Sequence, residues 1–146
     1  MAKKTLDKKY NWLILPIMIF IFIFASFFSS LCWSSVAKYY ATQEIFEGKK
    51  QHMQTISINW INYPGTTIGA DETSIYIAIF PLLRLGNPPL KIPYTDIHGT
   101  EIIGIPGLKN VNIDFDNDNI PTIVVRKNQA NIFEKESKNT WHYKHK

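Results

Sequence analysis

The stretch WLILPIMIFIFIFASFFSSLCW, Trp12 to Trp33, decides how the whole chain is read. It belongs to a longer run, Tyr10 to Ala37, that contains no charged residue. A bilayer core of about 30 Å is crossed by about 20 apolar residues, each rising about 1.5 Å along a helix. Trp12–Trp33 supplies that span, with Trp12, Phe20, Phe24 and Trp33 as the expected membrane-anchoring side chains. Tyr10 and Trp12 flank one end, and Trp33, Tyr39 and Tyr40 the other. Amphipathic rings favour those headgroup positions. Pro16 sits near the helix start, where a missing N–H costs least. Ser26, Ser29 and Ser30 can bond back to helix carbonyls and so tolerate lipid.

A cleaved signal peptide is the rival reading, with Ser35-Val36-Ala37 as its cleavage site. Signal-peptide cores run about 7–15 residues, so the length favours an uncleaved anchor. Lys3, Lys4, Lys8 and Lys9 precede the helix, whereas Lys38, Lys49 and Lys50 follow it, diluted by Glu44 and Glu47. The positive-inside rule then leans toward a cytoplasmic N-terminus, with the domain outside the cytoplasm.

The rest of the chain has room for one domain. Residues 1–11 read as a basic flank, 12–37 as the transmembrane helix, and 38–54 as a helical extension and linker broken at Gly48-Lys49-Lys50. Residues 55–138 read as a β-rich domain and 139–146 as a basic tail. The net charge of +4 comes from the two ends, so it does not describe a basic face on the domain and gives no support for nucleic-acid binding. Cys32 is the single cysteine, which excludes an intramolecular disulfide. It reads as a small apolar helix residue, with acylation beside the membrane as the sharper alternative. Ser29-Ser30-Leu31 does not suit a lipoprotein cleavage box.

Short alternating segments follow. Thr55–Ile61 sets Ile56, Ile58 and Trp60 on one face, and Ser74–Phe80 sets Ile75, Ile77 and Ile79 on another. Tyr63-Pro64-Gly65 reads as a turn. Lys91–Tyr94, Glu101–Ile105, Val111–Phe115 and Ile120–Val125 complete the strands, and Asn128–Lys138 is the expected soluble helix, with Ile132, Phe133 and Glu136 spaced three to four apart. The fold class expected is mainly β with one N-terminal transmembrane helix. Its domain would be a small antiparallel barrel or sandwich closed by a short C-terminal helix.

Trp33-x-x-Val36-Ala37-x-x-Tyr40, then Ser74-Ile75-Tyr76-Ile77, then Asn87-Pro88-Pro89-Leu90-Lys91-Ile92-Pro93-Tyr94-Thr95-Asp96-Ile97 resemble a family of small bacterial membrane proteins. Members have one N-terminal transmembrane helix and no assigned activity. The family pattern reads Gly-Trp-x-x-Leu-Ala-x-x-Tyr, Gly-Leu-Tyr-Leu and His-Pro-Pro-Leu-x-Ile-Pro-Trp-x-x-Ile. This chain departs from it at Cys32, Asn87 and Tyr94. The likeness covers most of residues 33–97. Ile92-Pro93-Tyr94-x-x-Ile97 also looks like a strand of bacterial pleckstrin-homology-like domains, and the resemblance implies such a barrel.

Catalytic, cofactor-binding and metal-binding residues are expected to be none. Asp114-x-Asp116-x-Asp118 lacks the Gly and Glu of a calcium loop, having Asn119 and Val125 there, and reads as a solvated turn. His52, His98, His142 and His145 read as surface histidines. There is no nucleophile elbow, phosphate loop or dinucleotide fingerprint.

The expected function is a membrane-anchored, non-enzymatic interaction module that binds a protein partner or serves as an accessory subunit of a membrane complex. Leu82, Leu83, Arg84 and Leu85 form the candidate interaction loop. The alternative is recognition of lipid headgroups, with Lys49, Lys50, Lys144 and Lys146 as candidate contacts. An enzyme whose site no linear motif announces is a third, weaker reading.

Overall fold

The computed structural model describes residues 11–80, 86–103 and 109–145, leaving aside the side chains of residues 11–13 and 22–29. The first element is one continuous helix of 30 residues, α1 (Asn11–Tyr40), about 45 Å long at the usual rise. With the side chains of 11–13 and 22–29 set aside, no helical stretch among the described residues is long and apolar enough to cross a membrane. The large apolar residues from Ile14 to Ile21 are all exposed.

After α1 come β1 (Lys49–Ile58), β2 (Ile61–Ala70), β3 (Ser74–Ile79) and β4 (Leu90–Pro93), an antiparallel meander. A second meander follows, with β5 (Ile97–Ile103), β6 (Lys109–Phe115) and β7 (Ile123–Arg126). β7 pairs antiparallel with β1, so both meanders form one sheet. Helix α2 (Lys127–Glu136) and the two-residue strand β8 (Tyr143–Lys144) complete the chain order. The sheet order is β4-β3-β2-β1-β7-β6-β5-β8, curled into an open half-barrel. It is mainly β with a C-terminal helix, as expected, but the barrel is open.

The apolar alternation builds the core. Ile56, Ile58, Ile68, Ile75, Ile77, Val111, Ile113, Ile123 and Val125 point to one side and are buried. Helix α2 packs on that side through Ala130 and Phe133, covering apolar surface that water would otherwise contact. Ile92-Pro93-Tyr94-x-x-Ile97 is the corner between the two meanders. Pro93 closes the edge strand β4, a single 3₁₀ turn spans Tyr94–Asp96, and Ile97 opens β5. The buried Tyr94 donates its hydroxyl hydrogen to the Phe133 carbonyl at 3.2 Å, fixing the corner to α2.

Two of the three segments that carried the family resemblance, 33–40 and 87–97, meet in space. Trp33, Val36, Ala37 and Tyr40 lie on one face of α1, at helical spacing. Trp33 and Val36 are fully buried in the domain core. The Trp33 indole N–H donates to the Pro88 carbonyl at 2.8 Å, and its ring lies 5.3 Å from that of Tyr63. Tyr40 stacks on Phe115. The Thr42 N–H donates to the Pro89 carbonyl, and Ala41 bridges Leu90, so the Pro-Pro segment receives the end of the helix. A headgroup position for Trp33 is therefore corrected: this ring belongs to the core, and the folded domain starts within α1.

Three other expectations are revised. Pro64 lies inside β2, because the ladder skips between Gln54↔Thr66 and Ile56↔Tyr63 and Gly65 adopts φ 69°. A bulge of this kind accommodates a proline that a regular central strand would reject. β1 starts at Lys49, inside the expected linker. The basic tail is also structured. Trp141 and Tyr143 are buried, the Trp141 indole N–H donates to the Ile97 carbonyl at 3.2 Å, and β8 runs parallel to β5. A Cβ on Gly99 would collide with Tyr143 Cβ and lie 2.8 Å from the Trp141 ring, so glycine lets this segment dock.

Candidate functional site

Outward-facing side chains of the half-barrel line a groove of about 540 Å³. It begins at the β1–β2 hairpin. Ile58 pairs with Ile61, leaving Asn59 and Trp60 as a two-residue turn with φ 48° and 71°. Positive φ at both central residues identifies a type I′ turn, whose twist suits a hairpin. Trp60 is 94% exposed at its tip. It does not share the face of Ile56 and Ile58, because the chain reverses before the alternation reaches it.

From the hairpin the groove crosses neighbouring strands. Ser57 pairs with Asn62 on β2 and with Val124 on β7, and Val124 pairs in turn with Asn112 on β6. Directly opposite residues lie on the same face of a sheet, so this row is continuous. Asn110, Ile102 and Thr122 extend the lining. Ser57 donates its hydroxyl hydrogen to Asn62 Oδ1, and Thr122 donates to Asp114 Oδ1 at 2.6 Å. Asn112 Oδ1 is buried and has no hydrogen-bond partner among the described residues. The lining therefore combines amides, hydroxyls, one exposed indole and two aliphatic side chains, with no formal charge.

Elsewhere polar groups are consumed by structure. Glu101 is buried on β5 and accepts two hydrogen bonds from Lys127 Nζ, at 3.0 and 2.9 Å, with His145 Nδ1 at 3.1 Å. The hydrogen bond from Lys127, then that from His145, holds its carboxyl below the usual range. Burial, then the hydrogen bond donated to Asp96, pushes the Tyr40 hydroxyl up to about 12. Burial opposes the charged form of Asp71, but hydrogen bonds from Thr73 and Ser74 outweigh it and lower its pKa. These groups organise a docked terminus, a helix end and a turn.

The sequence-derived candidates fall in different places. Leu82, Leu83, Arg84 and Leu85 lie outside the described residues, as do Lys146 and the side chains of Trp12 and Phe24. Phe20 is 67% exposed on α1. Lys49 pairs with Glu136 at 3.2 Å, Lys50 lies over the Phe46 ring, and Lys144 is exposed on β8. His98 sits 2.6 Å from Asp116, and His142 2.7 Å from Glu134. Among the described residues no three His, Cys, Asp or Glu side chains converge to hold a metal. Of the Asp114–Asp118 segment, Asp114 lies in β6 and Asp116–Asp118 in the β6–β7 turn, where Asn117 Oδ1 accepts from the Asn119 N–H. Sequence reading missed the groove, although Asn110 and Asn112 alternating with Val111 and Ile113 signalled a polar outer face.

No family model and no curated protein sequence matches this chain.

Proposed function

We propose that this chain is a single-pass membrane-anchored, non-enzymatic interaction module, with its domain held at the surface of a bacterial inner membrane. The carrying observation is the state of α1. Ile14, Leu15, Ile17, Met18, Ile19, Phe20 and Ile21 are all exposed, between 46% and 67%, and successive helical residues point in every direction. A helix apolar all round is stable only inside a large core or a bilayer. The same helix ends in the domain core through Trp33 and Val36, so anchor and domain are joined without a flexible linker. Two antiparallel meanders followed by a helix support a pleckstrin-homology-like reading of the domain.

The lean toward an extracytoplasmic domain rests on the lysines before α1. The interaction reading rests on the outer groove, which offers a binding surface without a convergent acid, base or nucleophile. A protein partner or membrane complex would meet the domain close to the bilayer. Headgroup binding gains less support, since Lys49 is already paired with Glu136.

Alkaline carbonate extraction of membranes tests the anchor. The full chain is expected to stay in the pellet, whereas an Ile17→Lys/Phe20→Lys variant is expected to leave it. Each lysine near a helix centre costs about 2.5–3.5 kcal/mol of insertion, or about 5–7 kcal/mol for the pair. Release of the unaltered chain by carbonate refutes the anchor.

A further inference from the structure

Trp60 occupies a position that folding alone would assign to another residue. The second central residue of a type I′ turn is strongly favoured as glycine, because φ 71° brings a side chain against its own backbone. The indole gains almost no packing in return, being 94% exposed. Strain retained beneath an exposed aromatic ring points to a role outside folding.

The surroundings define the chemistry of what the ring contacts. The groove lies on a sheet face, where backbone N–H and C=O groups are taken up by the ladder. A ligand there meets side chains only. An extended peptide would need backbone partners, which sheet edges offer and faces do not. No lining residue carries a charge, and the two charged residues that border it on the same face, Asp114 beside Thr122 and Arg126 opposite Asn110, are of opposite sign, so the groove has no net positive field of the kind phosphates, nucleic acids and anionic headgroups require. Asn62, Asn110 and Asn112 instead present donors and acceptors in pairs, matched to a ligand bearing many neutral hydroxyl or acetamido groups. Asn112 Oδ1 is closed off from solvent and has no partner among the described residues, so turning this amide toward the groove to meet a ligand hydroxyl gives up no hydrogen bond at that oxygen. The flat indole provides a stacking platform for an apolar ring face.

We propose that this groove binds a neutral oligosaccharide, one sugar ring stacking on Trp60 and its hydroxyl or acetamido groups bonding to Asn62, Asn110 and Asn112. This goes beyond the interaction-module reading and rests on it only in taking the groove as the binding surface. A chain of linked sugars fits a groove that crosses five strands, β2, β1, β7, β6 and β5, rather than a closed pocket.

The test uses the full chain in lipid nanodiscs, which avoids sugar-headed detergents. Chitohexaose and cellohexaose are titrated separately, followed by calorimetry and by tryptophan emission. Saturable binding of either, with a blue shift in emission, is expected. Trp60→Ala should abolish the emission change and weaken binding at least tenfold, and Asn112→Ala should weaken it severalfold. Circular dichroism should show both variants folded, since Trp60 is exposed and Asn112 lies on the outer face. Absence of saturation by both oligosaccharides overturns the proposal, as does binding that survives Trp60→Ala unchanged. A photo-crosslinker at position 60 that captures a protein while neither sugar binds also overturns it, yet leaves the anchored-module reading intact. Carbonate release of the chain refutes the anchor without altering the titration.

Discussion

Replacing Trp33 distinguishes a ring embedded in the domain from one resting at the membrane surface. Trp33 is fully buried, stands 5.3 Å from the Tyr63 ring, and donates its indole N–H to the Pro88 carbonyl at 2.8 Å. Truncating a buried tryptophan to alanine costs about 3–5 kcal/mol in lost contacts and cavity. Trp33→Phe keeps most of the apolar contact but leaves the Pro88 carbonyl without its donor, a loss of about 1–2 kcal/mol. With a urea dependence of about 1.5 kcal/mol per molar, these become midpoint decreases of about 2–3 M and about 1 M. Near-UV circular dichroism of the full chain in non-ionic micelles reads the domain through its buried aromatic cluster. A headgroup-resting tryptophan predicts a different outcome, since surface substitutions usually change stability by less than about 0.5 kcal/mol. A Trp33→Ala midpoint within about 0.3 M of the unaltered protein refutes the fused helix–domain core.

Trp60→Gly should raise the urea midpoint, because relieving a left-handed non-glycine residue recovers about 1 kcal/mol and no buried contact is lost; a lower midpoint would show that the indole packs after all. Gly99→Ala should expel the C-terminal segment, seen as rapid proteolysis after Lys138, because its Cβ would overlap Tyr143 Cβ; unchanged protection refutes the docking. Asp71 supplies a pH test. Its folded pKa lies below the ordinary 3.8, so its contribution is present above that value and is lost as pH falls through the folded pKa. The stability gap between the unaltered chain and Asp71→Asn should be constant near neutrality and shrink below about pH 4; a gap unchanged to about pH 3 refutes the assignment.

The local signals and the tertiary outcome separate at identifiable residues. Period-two alternation fixed β3 and β6, and helical spacing indicated α2, because each is decided by which side chains leave water. The expected α2 span, 128–138, differs from the observed Lys127–Glu136 only at its ends. β2 was hidden by Pro64-Gly65, since a bulge depends on the neighbouring strand's register and cannot be seen in the residues alone. Trp141 and Tyr143 were hidden for a related reason: their partners, Ile97 and Gly99, are more than forty residues away.

By itself the sequence determined that Tyr10–Ala37 carries no charge, that the rest alternates as strands, and that one helix follows them. Those properties follow from local chemistry, namely the cost of burying charge and the side-chain period of each element. Only the tertiary structure decided that Trp33 sits in the core and that Trp60 stands outside it. It also brought Asn62, Asn112 and Asn110 to one face. Such placements depend on strand pairing between distant segments, and a single-residue difference in register or turn carries a side chain to the opposite face of the sheet.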